Sequence, residues 1–110
     1  MAYSEELAER IRKRLAAQRG VVEKKMFGGL AFLLNGNMCV AASGAGGLLA
    51  RVDPDETHAL LAPPHVALMK MGGRSMKGWI RVAPEAIETD RELARWVDRC
   101  VAYAKSLPKK

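Results

Sequence analysis

The dipeptide Asn35-Gly36 constrains this chain more than any other pair of residues. It stands between the apolar run Leu30–Leu34 and the run Asn37-Met38-Cys39-Val40-Ala41-Ala42. Asn-Gly between two such runs is the strongest short-range hairpin signal, because both residues tolerate the positive φ of a tight primed turn. A second turn, Ser43-Gly44-Ala45-Gly46-Gly47, leads into a further strand, Leu48–Val52. Strands joined this closely must run antiparallel, since a parallel return needs a long crossover. Upstream, Val21 to about Met26 is strand-like and is broken by Gly28-Gly29.

Helical signals flank this block. Ser4 caps a first helix with Glu5 and Glu6 at its positive end, and Leu7, Ala8, Ile11 and Leu15 recur at helical spacing. That pattern predicts a helix from Ser4 to about Arg19, stopped by Gly20. Asp53-Pro54-Asp55-Glu56 reads as a capping box with proline at the first helical position, opening a short helix that Pro63-Pro64 ends. Val66–Met71 and Gly78–Val82 form a second strand pair across a loop, Gly72–Lys77. Thr89 and Glu92 make a capping box before an apolar stripe of Leu93, Trp96, Val97, Cys100, Val101 and Ala104. The order is α-β-β-β-α-β-β-α. Runs of adjacent strands predict a two-layer α+β domain over residues 1–110, with helices on one face of an antiparallel sheet of about five strands. The other face is left partly exposed or serves a partner.

With 49% apolar residues the 110-residue chain can fill one core without disulfide staples. Cys39 and Cys100 are expected to be reduced and buried, since neither a secretory leader nor a dense cysteine framework is present. The longest apolar run is too short to cross a bilayer, so a cytoplasmic, membrane-free protein is expected. The sequence carries no serine nucleophile elbow, Walker loop, HExxH or CxxC motif, so no catalytic activity is expected. His58, His65, Cys39 and Cys100 match no zinc spacing, and no metal or cofactor is expected. Cys39 among Met38, Val40 and Ala41 reads as an inert core thiol rather than a nucleophile.

The net charge is +6, from 18 Lys and Arg against 12 Asp and Glu. On the long helices bases alternate with acids, as on a solvated face. Two glycine-rich segments are more pointed: Lys24-Lys25-Met26-Phe27-Gly28-Gly29 and Gly72-Gly73-Arg74-Ser75-Met76-Lys77-Gly78-Trp79. Each mixes glycine, base and an aromatic, which suits an anion with a stacking surface. The same glycines serve equally well as sharp bends over packed Phe27 and Trp79. The candidate binding surface is therefore Lys24, Lys25, Phe27, Gly28, Gly29, Arg74, Lys77 and Trp79.

The segments AYSEELAERIR, KKMFGGLAFLLNGNMCVAA and GRSMKGWIRVAPEAIETDRELARWVDRCVAYAKSLP resemble the TfoX N-terminal domain family, in order, over about residues 2–108. The most specific parts are MFGG at Met26–Gly29, NGNM at Asn35–Met38 and the Gly73–Trp79 stretch. The resemblance implies an α+β fold similar to secretion-chaperone-like domains. It also implies a non-enzymatic regulatory or interaction role linked to transformation competence, with self-association as a homodimer and protein partners of unknown identity. It supplies no catalytic residues. Longer competence regulators resemble this domain followed by a helical second domain, and the present chain corresponds to the first. Two alternatives accompany this reading. One is a nucleic-acid-associated regulator that binds phosphate weakly through Lys24, Lys25, Arg74 and Lys77; the other is a small-ligand binder or enzyme.

Overall fold

A computed structural model describes residues 4–26, 28–44, 46–61, 65–71 and 74–108. Helix α1 (Glu5–Arg14) is capped by the Ser4 hydroxyl, which accepts from the Leu7 N–H at 3.1 Å. It ends five residues earlier than its pattern predicts. Beyond Leu15 no residue before Val21 is buried against the core, so nothing rewards another turn. Six strands follow the prediction's alternation of runs: β1 (Val21–Met26), β2 (Gly29–Leu34), β3 (Asn37–Ala42), β4 (Leu48–Arg51), β5 (Val66–Met71) and β6 (Arg74–Val82). They form one antiparallel sheet in the order β1-β2-β3-β4-β6-β5. The strand-like stretch at Val21 is thus a full edge strand, giving six strands rather than about five.

Asn35 (φ 54°) and Gly36 (φ 84°) both take the positive φ that a two-residue primed turn demands. A bulge follows: Phe32 faces Val40 and Leu33 faces Met38, which leaves Cys39 without a partner in the register. Between β4 and β5, a 3-10 turn (Pro54–Glu56) runs into the one-turn helix α2 (Thr57–Leu60). Asp53 caps it by accepting from the Asp55 N–H at 2.9 Å. Glu56 does not close the expected box; its carboxylate lies 3.6 Å from Arg99 instead. A 3-10 turn, Pro84–Ala86, precedes α3 (Asp90–Ser106), where the Thr89–Glu92 capping box forms in both directions.

Both long helices pack on one face of the sheet. Ile11 of α1, Val97, Cys100 and Ala104 of α3, and Phe32, Val40, Leu48, Ile80 and Val82 of the sheet are all at or near zero exposure. Within the helical layer, Arg10 of α1 donates to the Ile87 carbonyl just before α3 at 2.9 Å, and Arg14 pairs with Asp98 of α3. The tail after α3 is held too, because the buried Asn37 amide donates to the Pro108 carbonyl at 2.9 Å.

The greatest irregularity is in β6. Leu68 faces Ile80 but Met69 faces Met76, so the strand gains extra residues around Gly78 and bends. The stretch predicted as the loop Gly72–Lys77 is therefore mostly strand, beginning at Arg74. Gly78 has φ +89°, and its N–H donates to the buried Thr57 hydroxyl at 3.0 Å. Its carbonyl accepts from the Val52 N–H at 2.9 Å, while the Thr57 hydroxyl donates to the Asp53 carbonyl at 3.2 Å. Thr57→Val keeps the shape but strips the only acceptor described for that N–H. The expected loss is about 1–3 kcal/mol in urea titration, with Thr57→Ser close to wild type.

Candidate functional site

Strand alternation sends successive side chains to opposite faces, so the register sorts every strand residue. Val21, Glu23 and Lys25 of β1 share the helix-covered side with Leu30, Phe32 and Leu34. Glu23 there is bound by Arg12 through two hydrogen bonds, at 2.5 and 2.8 Å. That pairing holds the Glu23 carboxyl below its usual range. Val22 and Lys24 lie on the helix-free face. A second apolar cluster occupies that face, with Ala31, Met38, Ala41 and Leu49 buried and Leu33, Met69 and Trp79 half-buried around them. One cross-strand row, Val22–Leu33–Met38, runs from this cluster to the β1 edge. It ends in Val22, 59% exposed, the one large apolar side chain left open among the described residues.

The predicted site residues do not converge. Lys24 and Lys25 are exposed but point to opposite faces of β1. Arg74 and Lys77 lie on β6, four strand spacings away or about 19 Å at the usual interval; their side chains, like all of Phe27, lie outside the described residues. Gly28 and Gly29 sit at the β1–β2 corner. A Cβ on Gly29 would overlap the Ala42 carbonyl oxygen, so close backbone approach explains that glycine. Trp79 is paired across the sheet with Arg51.

Arg51 is a residue that no motif in the sequence singles out. It closes β4, and its Cζ lies over the rings of Trp79 (5.5 Å to the centroid) and Tyr103 of α3 (5.7 Å). Its Nη1 reaches the Met38 carbonyl at 3.5 Å, the far limit of a hydrogen bond. Two rings on different elements thus hold a half-buried guanidinium where the sheet meets the last helix.

The charge also has a location. The six strands carry seven Lys and Arg and one acid, Glu23, so the sheet accounts for the whole net charge of +6. Helices, turns and tail balance, with eleven bases and eleven acids. On the helix-free face the register places Lys24, Arg51 and Arg81 and no Asp or Glu. The even spread of charge expected from the helices holds for the helices alone.

Other chemistry finds little support. Cys39 and Cys100 are free and buried, and burial pushes the Cys39 thiol up to about 12. His58 and His65 are exposed, and no cluster of three or more His, Cys, Asp or Glu among the described residues is placed to hold a metal. Two hollows flank α1, one over Arg10, Lys13 and Asp90 and one over Ser4, Arg10 and Glu85; neither is lined by a predicted site residue. No helix among the described residues is long and apolar enough to cross a membrane.

The fold is thus a two-layer α+β domain with one helix-covered face and one apolar, cationic face. The chain belongs to the TfoX N-terminal domain family, whose model matches residues 13–104. No curated protein and no solved structure matches it.

Proposed function

We propose that this protein is a non-enzymatic regulatory domain that works through protein contacts on the helix-free face of its sheet and self-associates as a homodimer at the β1 edge. The row Val22–Leu33–Met38 carries the reading. An antiparallel sheet with one solvated face should alternate apolar and polar residues, yet β2 and β3 are apolar on both faces. The row stops at an unpaired strand edge with Val22 open. Edge strands are natural templates for pairing with another chain. Antiparallel pairing of two β1 strands about Lys24 sets Glu23 opposite Lys25 twice against a single Lys24–Lys24 contact and keeps both faces continuous, which supports a second copy as the occupant.

Sedimentation across micromolar concentrations tests this. The wild-type chain is expected to dimerise, and Val22→Lys to weaken the dimer about a hundredfold. A two-fold interface buries the valine twice, at roughly 1.5 kcal/mol or more each. A wild-type chain that stays monomeric removes the homodimer, and unchanged association in Val22→Lys removes the β1 edge.

A further inference from the structure

We infer that Arg51 is a carboxylate anchor: with Trp79 and Tyr103 it forms a site for a Glu or Asp side chain on an acidic, partly apolar protein segment. The inference rests on the protein-contact reading above and names the chemistry of the partner.

Three observations combine. First, Arg51 has no acid of its own. All twelve Asp and Glu side chains are described. Arg19, Arg81, Arg91 and Arg95 lack an acidic partner within 4 Å but stand exposed to water, whereas of the two half-buried arginines among the described residues Arg10 has Asp90 and Arg51 has no acid. A guanidinium offers five N–H donors in a fixed fork. Here one of them reaches a single main-chain carbonyl at 3.5 Å. Second, the group is held in place before any ligand arrives. Trp79 and Tyr103 flank it, so little side-chain freedom remains to be lost on binding. Third, the surroundings select the ligand. Lys24 and Arg81 add positive charge to the same face, no acid opposes them, and the neighbouring cluster of Met38, Leu49 and Met69 is apolar. A carboxylate flanked by apolar side chains satisfies all three features.

Nucleic acid fits less well. Single strands are gripped by stacking bases on free aromatic faces. At the end of β4, where the sheet meets α3, the rings of Trp79 and Tyr103 are already turned to Arg51.

The test uses the full chain and three probes: an end-blocked peptide of alternating Glu and Leu, the same peptide with Gln for Glu, and a single-stranded oligonucleotide of equal charge. Nuclear magnetic resonance follows the Arg51 Nε–H and the Trp79 indole N–H. The Glu peptide is expected to shift both signals. Arg51→Lys keeps the charge but loses the fork, and should weaken that binding about thirtyfold. Arg51→Gln should abolish it, with both variants checked for an unchanged fold by their amide spectra. Equal binding of the Gln peptide overturns the inference, as does an Arg51→Lys variant that binds like wild type. So does a Glu peptide that leaves the Arg51 signal unmoved at millimolar concentration. In that last case self-association lost in Val22→Lys would leave the protein-contact reading standing. Stronger shifts with the oligonucleotide would sink both together.

Discussion

Gly29→Ala is expected to unfold this domain or cost it at least about 3 kcal/mol, whereas Gly28→Ala, one residue earlier, should cost about 1–2 kcal/mol. The two glycines look alike in sequence and do different physical work. Gly28 has φ +72° with open space where a Cβ would stand, so alanine there meets only the backbone strain of a left-handed conformation. Gly29 opens β2 against the end of β3. Its added Cβ would overlap the Ala42 carbonyl oxygen and press on the Gly44 N–H at 3.1 Å. Relief requires separating two paired strands at the centre of the sheet, and the buried Ala31 and Phe32 follow directly in β2. Urea titration of both variants decides the matter. A Gly29→Ala protein within about 1 kcal/mol of wild type would show that the corner can open, and would return the Met26–Gly29 motif to the list of binding loops.

What could be read from the sequence was local. Asn35-Gly36 fixes a turn with two residues, Thr89 and Glu92 cap α3 within one turn, and the α3 stripe shows its period without help from the rest of the chain. What was legible only in outline depends on distant partners. β1, VVEKKM, reads as strand-like, but its place as a full edge strand comes from pairing with β2, and Glu23 on its core side is bound by Arg12 of α1. The Gly72–Lys77 stretch has loop composition. Pairing with β5 makes a strand from Arg74 onward, and Thr57, 21 residues before Gly78, secures the bend. Glycine-rich segments with a base beside an aromatic are legible because they are contiguous, whereas a cation–ring cluster built from separate elements is not. Trp79 stands in one of those segments, yet its basic neighbour is Arg51 and the second ring is Tyr103, residues 28 and 24 positions away in the chain. The location of the net charge was equally hidden, because it emerges only once the residues are divided between strands and everything else.

The second large effect is alkaline. Folding stability should fall steeply from about pH 9 to pH 12, and the fall should shrink in the double variant Cys39→Ala/Cys100→Ala. Cys39 is 1% exposed in the β3 bulge and Cys100 fully buried on the inner face of α3. Burial pushes the Cys39 thiol from 9.0 up to about 12. The Cys100 thiol is pushed up by burial and then by the nearby Cys39. Between the unfolded and folded values the native state keeps protons that the unfolded chain has released, so raising the pH draws the equilibrium toward unfolding. Each fully engaged thiol removes about 1.4 kcal/mol per pH unit, so the pair can remove most of the margin of a small domain over that window. Well below pH 9 both thiols are protonated in either state and the slope from them vanishes. Lysines and tyrosines titrate in the same range, which is why the comparison with the double alanine variant is the measurement. Urea midpoints at pH 8, 9.5 and 11 should converge for the two proteins at the low end, apart from a constant cavity cost, and separate in slope above it. Parallel slopes throughout would mean that the thiols open to solvent well before the domain unfolds, and the tight packing of β3 against α3 would have to be abandoned.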